Sequence, residues 1–317
     1  MILYSFLVII GFVCLIFGAN WLVDGASALA KRYKVSDLAI GLTIVAFGTS
    51  APEMVVNLIG SANGYSDIVF GNIIGSNNFN LFIILGLSGL IYPISVQSST
   101  AWKEIPISLF VACLLLFFVN DFAFAGNSSF SRIEGVILLS MFFLFLYYVF
   151  LQMKNDSSIK SEVPQMATFK IWALIIVGLA GLVIGGQLVV KNSVSIAGEL
   201  GISEKIIGLT IVAAGTSLPE LLTSVVAALK KNSDIAIGNV IGSNVFNVLL
   251  ILSLSGIIRP IDYNPNFNTD LFILIGGTVF LFVAMLTGKR KKLDRWEAAL
   301  LFAFYLVYTV FLVYKEL

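Results

Sequence analysis

Residues 40–53 read IGLTIVAFGTSAPE, and residues 207–220, shifted by 167 positions, read IGLTIVAAGTSLPE. The same shift carries SDIVFGNIIGSNNFN (66–80) onto SDIAIGNVIGSNVFN (233–247). Extended outward without a gap, it lays 18–94 on 185–261 with about 35 of 77 positions identical. Apolar helices resemble one another by chance at Leu, Ile and Val. Chance does not align Thr49/Thr216, Ser50/Ser217, Pro52/Pro219, Glu53/Glu220, Asp67/Asp234, Asn72/Asn239, Ser76/Ser243 and Asn80/Asn247 in one frame. The chain is an internal duplication, and a repeat of this length constrains the fold more than any single element.

The solvent of this fold is lipid. Of 317 residues, 58% are hydrophobic and 12% charged, with a mean hydropathy of +0.98, whereas soluble domains carry about 25% charged residues. A transmembrane helix needs roughly 20 apolar residues. Ten stretches qualify: 2–30, 37–62, 67–91, 102–121, 131–152, 168–198, 204–229, 234–258, 268–287 and 296–314. No basic residue precedes 2–18, and the apolar run continues past Leu22, so this segment reads as a retained helix rather than a signal peptide. The expected fold is all-α and integral to the membrane. Its first repeat is 1–153, a polar linker follows at 154–167, and the second repeat is 168–317. Five spans per repeat turn the second copy upside down, which makes the halves inverted repeats.

Lys and Arg in short loops favour the cytoplasm. With ten spans, fourteen fall on the side of the linker and four (Arg132, Lys205, Arg259 and Lys315) on the other. Both termini are therefore expected outside the cell, in a multi-pass protein of the cell membrane. The net charge of +1 gives no basic face for nucleic acid, so lipid is the expected macroscopic surrounding, and no obligate protein partner is evident. Histidine is absent, which excludes imidazole catalysis and imidazole metal sites. Cys14 and Cys113 lie in apolar runs and read as small packing residues.

GTSAPE (48–53) and GTSLPE (215–220) carry the chemistry. Gly frees the backbone, and Pro removes an N–H and clashes with the preceding turn. Spans 2 and 7 should break there, exposing the carbonyls of Ala46, Thr49, Ala213 and Thr216. Glu53 and Glu220 follow each break at once, about half-way through their spans. An intramembrane carboxylate is costly and marks a functional site. Beside them stand the hydroxyls of Thr49, Ser50, Thr216 and Ser217. Carboxylate, carbonyl and hydroxyl oxygens are hard ligands that suit Ca2+ and Na+. GNIIGSNNFN (71–80) and GNVIGSNVFN (238–247) supply a second layer. Ser76 and Asn80 share one helix face, as do Ser243 and Asn247. Gly71, Gly75, Gly238 and Gly242 are small-xxx-small pairs suited to close helix contact. Asn77 and Asn244 lie on another face, where hinge packing and ligation are equally compatible with the pattern. Asn57, whose counterpart is Ser224, reads as pocket lining.

These motifs resemble the α-repeats of the cation/calcium exchanger superfamily, above all its sodium/calcium exchanger branch of prokaryotic type. The resemblance spans all ten helices and is most specific in GTS(A/L)PE and GSNxFN. It implies antiport of Ca2+ against Na+, with the transported ions as ligands and no cofactor or catalytic residue. It implies a ligand set of Ala46, Thr49, Ser50, Glu53, Ser76 and Asn80 from one half, and Ala213, Thr216, Ser217, Glu220, Ser243 and Asn247 from the other. The potassium-dependent branch carries Asp where this chain has Asn247, which argues against K+ co-transport. Two glutamates can also bind two protons, so exchange of Ca2+ or another divalent cation for H+ on the same scaffold is the alternative. A membrane protease is disfavoured because no Asp stands at midplane depth in the motif helices. A channel is disfavoured because inverted duplication suits alternating access.

Overall fold

In lipid every backbone N–H and C=O has to be satisfied within the protein, which leaves the helix as the element these apolar runs can form. The computed structural model describes residues 2–97, 100–120, 129–155, 166–200, 213–287 and 291–316. Its helices are α1 (Ile2–Tyr33), α2 (Asp37–Thr49), α3 (Ala51–Asn63), α4 (Ser66–Ile91), α5 (Thr100–Val119), α6 (Arg132–Asn155) and α7 (Thr168–Glu199). Then come α8 (Ala213–Thr216), α9 (Leu218–Leu229), α10 (Ser233–Ile258), α11 (Asn268–Ala284) and α12 (Arg295–Glu316). Among the described residues, seven helices are long and apolar enough to cross a bilayer, and the bent pair α2–α3 makes an eighth. The expected span 204–229 is seen from Ala213 onward. Its first part and most of the expected linker lie outside the described residues.

Helices α1 and α7 run antiparallel with their backbones in contact. A Cβ on Gly18 would stand 2.8 Å from the Gly178 carbonyl oxygen and 2.8 Å from the Leu182 nitrogen. A Cβ on Gly11 would stand 2.9 Å from the Gly185 oxygen, and one on Gly185 would stand 2.7 Å from the Gly11 oxygen. Small residues give membrane helices this approach, since apolar side chains gain little by leaving lipid. Helix α10 is buried along its central length. Gly238 and Gly242 press on α2: a Cβ on Gly242 would meet the Ala46 Cβ at 2.7 Å and the Leu42 oxygen at 2.9 Å. Close contact is thus found for this Gly pair. Gly71 meets only the Phe267 ring and Gly75 nothing among the described residues; the segment that the repeat would lay against them, 205–213, lies almost wholly outside those residues.

The outer helices pack across the halves. Phe142 of α6 meets Phe246 of α10 edge-on at 4.9 Å, and Phe304 of α12 meets Phe82 of α4 at 5.3 Å. A capping box starts α6, in which the Ser131 N–H donates to Glu134 (2.6 Å) and the Glu134 N–H to Ser131 (3.3 Å). At α12 the Asp294 N–H donates to Glu297 (2.8 Å) in the corresponding way. An all-helical expectation misses two short ladders. Strand β1 (Ile94–Ser95) pairs antiparallel with β4 (Lys292–Leu293), and β2 (Ser129–Phe130) with β3 (Ile261–Asp262). Each joins a loop of one half to a loop of the other, giving loop backbone the partners that a helix would otherwise supply.

Candidate ion-binding site

The chain bends by 49° between α2 and α3. The turn is made at Ser50 (φ −81°, ψ 8°), and its counterpart Ser217 has φ −89°, ψ 8°. Pro52 and Pro219 fall in the first turns of α3 and α9, where a missing N–H costs nothing because it had no intrahelical acceptor. Glycine precedes each break for a steric reason. A Cβ on Gly48 would meet Leu179 at 2.4 Å, and one on Gly215 would meet Val190 at 2.1 Å, both from α7. The breaks therefore lie directly under α7.

Glu53 and Glu220 occupy the first turns of α3 and α9, where the helix dipole favours negative charge. Each is 1% exposed. Their hydrogen bonds are reciprocal between the halves. Ser50 donates to Glu220 Oε1 (2.8 Å) and lies 3.0 Å from the Ser243 hydroxyl. Ser217 donates to Glu53 Oε1 (3.0 Å) and lies 3.2 Å from the Ser76 hydroxyl. The structure thus brings together Glu53, Ser76 and Ser217 on one side, and Glu220, Ser50 and Ser243 on the other.

One turn beyond Ser76 and Ser243 the helices widen. Residues Phe79–Ile84 and Asn247–Leu252 are π-helical, and Asn80 and Asn247 stand at their starts. Such widened turns recur at functional sites. Asn77 and Asn244 fix the two amides. Asn77 Nδ2 donates to the Asn244 carbonyl, and Asn244 Nδ2 to the Asn77 carbonyl, both at 3.3 Å. A backbone carbonyl only accepts, so each amide oxygen is turned the other way. Asn77 Oδ1 then accepts from Asn247 Nδ2 (2.9 Å), and Asn244 Oδ1 from Asn80 Nδ2 (3.0 Å). That leaves the Asn80 and Asn247 oxygens as the free ends. Asn77 and Asn244 accordingly orient Asn247 and Asn80 across the halves, which spacing within either helix does not disclose.

Of the expected ligands, four among the described residues hold a buried oxygen with no hydrogen-bond partner: Glu53 Oε2, Glu220 Oε2, Asn80 Oδ1 and Asn247 Oδ1. Leaving a buried polar atom unpaired costs about 1–3 kcal/mol, more if it is charged. Four acceptors with no donor among them suit a hard cation.

Asn72 and Asn239 were paired in the repeat but not singled out as site residues. Thr49 Oγ1 lies 3.0 Å from Asn239 Oδ1, while Asn239 Nδ2 donates to the Glu220 carbonyl (3.2 Å) and to Ser224 (2.9 Å). In the other half Thr216 reaches Asn72 Oδ1 at 3.4 Å. There Asn57 stands in place of Ser224 and takes the Glu53 carbonyl itself (2.8 Å), leaving Asn72 Nδ2 and Asn57 Oδ1 buried without partners. The two halves share a clamp, and Asn57 loosens it on one side. The Ala46 carbonyl is not freed as expected. The bend falls at Ser50, so Ala46 keeps its helical bond from the Ser50 N–H (3.0 Å) and also faces the Thr49 hydroxyl (3.3 Å). Ala213 is the first residue of α8.

Comparison with known proteins agrees with this geometry. The family model described as sodium/calcium exchanger protein matches residues 3–151 and 170–314. The chain is 33% identical over 357 residues to the sodium/calcium exchanger MaX1 of Methanosarcina acetivorans, covering 99% of this chain and 100% of that one. It is 36% identical over 319 residues to CaxA of Alkalimonas amylolytica, which carries the name of an antiporter, with 97% and 98% covered. A solved structure of the sodium-calcium exchanger NCX_Mj, soaked with Na+ and Ca2+, superposes with a TM-score of 0.83 at 32% identity over 97% of both chains. Members of this family are transporters that use no cofactor, and they are not enzymes. Two broken, carboxylate-bearing helices in one buried cluster, and a family match along nearly the whole chain, lead to one statement: this protein is a multi-pass membrane protein of the sodium/calcium exchanger family.

Proposed function

We propose that the chain exchanges Ca2+ for Na+ across the cell membrane by alternating access. The carrying observation is the set of four unpaired buried oxygens on Glu53, Glu220, Asn80 and Asn247. The serines at 50, 76, 217 and 243 and the threonines at 49 and 216 complete the ligand set. The carbonyl of Ala46, which also holds its helical bond from the Ser50 N–H, and that of its counterpart Ala213 are the last members of the proposed set. With both carboxylates ionised the empty site carries two negative charges, and one central charge already costs at least about 2.5–3.5 kcal/mol. One Ca2+ neutralises the pair, as do two Na+. The carrier then reorients when loaded and stalls when empty, which makes exchange obligatory. A third Na+ would make each cycle electrogenic, with the potential contributing about 2.3 kcal/mol per charge per 100 mV.

Proteoliposomes loaded with Na+ should take up labelled external Ca2+, faster when valinomycin and K+ hold the interior positive. Uptake that ignores Na+ and follows an imposed pH gradient would replace this reading by exchange against protons. Potential-independent uptake would point to two Na+ per Ca2+.

The same proposal includes ten spans as two inverted five-helix repeats, 1–153 and 168–317, joined by the 154–167 linker. Two features support it. The glycines that meet across α1 and α7 are each other's repeat partners, Gly11 with Gly178 and Gly18 with Gly185, and they meet crosswise in antiparallel helices. Each short ladder also joins two loops that a ten-span count puts on one side of the membrane. With both termini outside, a cysteine at position 160 should react with an impermeant reagent only from the cytoplasm, and Arg259→Cys only from outside. Labelling of position 160 on intact cells would reverse the orientation.

A further inference from the structure

A cavity of about 620 Å3 lies between α4, α11 and α12, and no carboxylate lines it. Its wall on α11 is formed by Phe272, Gly276, Gly277 and Phe280, that on α12 by Leu300 and Phe304, and its floor by Phe82 of α4. Thr269 is the one polar lining residue, and it stands at the end where α11 begins. Phe272, Leu300 and Phe304 are each at least half exposed, so the cavity opens on the lipid-facing surface of the bundle.

Gly276 is the cause of the gap. Among the described residues, a Cβ there meets nothing within 4 Å. At Gly277, by contrast, a Cβ would meet the tip of the Phe82 ring at 2.3 Å, so that ring presses against the α11 backbone and closes the back wall. Phe82 is held in turn by stacking on Tyr305 at 5.8 Å. The floor is therefore firm and the opening wide.

Protein interiors are close-packed, and an apolar cavity gains nothing from water, which needs two to four polar partners. The occupant has to be apolar and has to come from the bilayer. From Thr269 to Phe280 the α11 face runs roughly 16 Å at 1.5 Å per residue. One leaflet of the hydrocarbon core is about 15 Å deep. The groove thus matches an acyl chain in length, in chemistry, and in having its polar end at the membrane surface. We propose that this groove binds a single acyl chain of a membrane phospholipid, drawn from the leaflet at the Asn268 end of α11. The chain rests on Phe82, two residues from Asn80 in the same π-helical segment, which gives the bilayer a contact with the helix turn that the proposed ion site uses. The lipid site itself depends only on the membrane setting, not on which ions are exchanged.

The test uses the full-length protein in proteoliposomes doped with phosphatidylcholine bearing a diazirine near the end of one acyl chain. After irradiation, peptide mass spectrometry should find lipid adducts concentrated at Phe280 and Phe304, above the level at Ile9, a lipid-facing residue of α1. Gly276→Leu fills the gap from one wall and Leu300→Trp from the other, so either should remove the excess, whereas Gly276→Ala should keep it. Adducts at Phe280 and Phe304 no stronger than at Ile9 would mean ordinary boundary lipid and overturn the proposal. So would an excess that survives both filling substitutions. Loss of Na+ coupling in transport would leave this result unchanged, so the two proposals fail separately.

Discussion

Replacing Glu53 or Glu220 by Gln should abolish Ca2+ exchange while the protein stays folded. The hydrogen bonds predict the second half of that statement. Ser217 and Ser50 donate to one oxygen of each carboxylate, and a Gln amide oxygen accepts the same bond. What the substitution removes is the second oxygen, which has no protein partner, and the charge. By analogy with breaking a buried ion pair, a divalent ion left half-neutralised should lose about 3–5 kcal/mol of binding, on the order of a hundred-fold or more. Ion-free protein should melt at the same temperature or higher, because one of two neighbouring buried carboxylates has gone. Ca2+ uptake near the wild-type rate in either variant would remove these residues from the site. Loss of the folded protein would give them a structural role instead.

A second large effect is expected at Gly18. A Cβ there meets two backbone atoms of α7 at 2.8 Å, and backbone cannot turn aside as a side chain can. Gly18→Val should force the helices apart along the α1–α7 interface, at a cost of at least about 3 kcal/mol, the upper end for overpacking a core. Gly276→Ala makes the opposite prediction, since its Cβ meets nothing. Ala is the better helix former by about 1 kcal/mol, so this variant should be neutral or more stable. Melting temperatures of the purified proteins in detergent read both. A Gly18→Val protein as stable as wild type would show that the glycine contact is dispensable.

The two halves of the site were legible to different degrees, and the reason lies in what leaves a mark on residue type. A Pro beside a Gly, followed by a carboxylate in an apolar run, announces a broken helix and a buried charge, and the duplication says so twice. A widened turn has no such mark. It is a change in which carbonyl each N–H reaches, and nothing in FNLFII or NVLLIL declares it. Asn77 stands three residues before Asn80, on the neighbouring part of one helix face, but the cross-half amide chain that joins them runs through Asn244, a partner that spacing within one helix does not name. The position of a bend is equally silent to within one residue, which is why the Ala46 carbonyl, expected free, keeps its helical bond. Ladders only two residues long have no alternation to read. The α1–α7 contact was present in the sequence as glycines seven residues apart, but its significance lies in the partner helix that each one touches.

The crossed serines have a consequence for how such a molecule could arise. Ser50 binds the carboxylate of the second half, and Ser217 that of the first, so neither half by itself completes the proposed ion site. Under the proposed inverted topology, a single-repeat ancestor would have had nothing to bind with until it met a second copy of itself lying the other way up in the same membrane. Its usefulness would have required one gene product to insert in both orientations, without the Lys and Arg bias on which the proposed orientation rests. Fusion of two such copies would have ended that ambiguity and let each half take its own Lys and Arg, just as Asn57 and Ser224 differ between the halves while the serine–carboxylate crossing is the same in both.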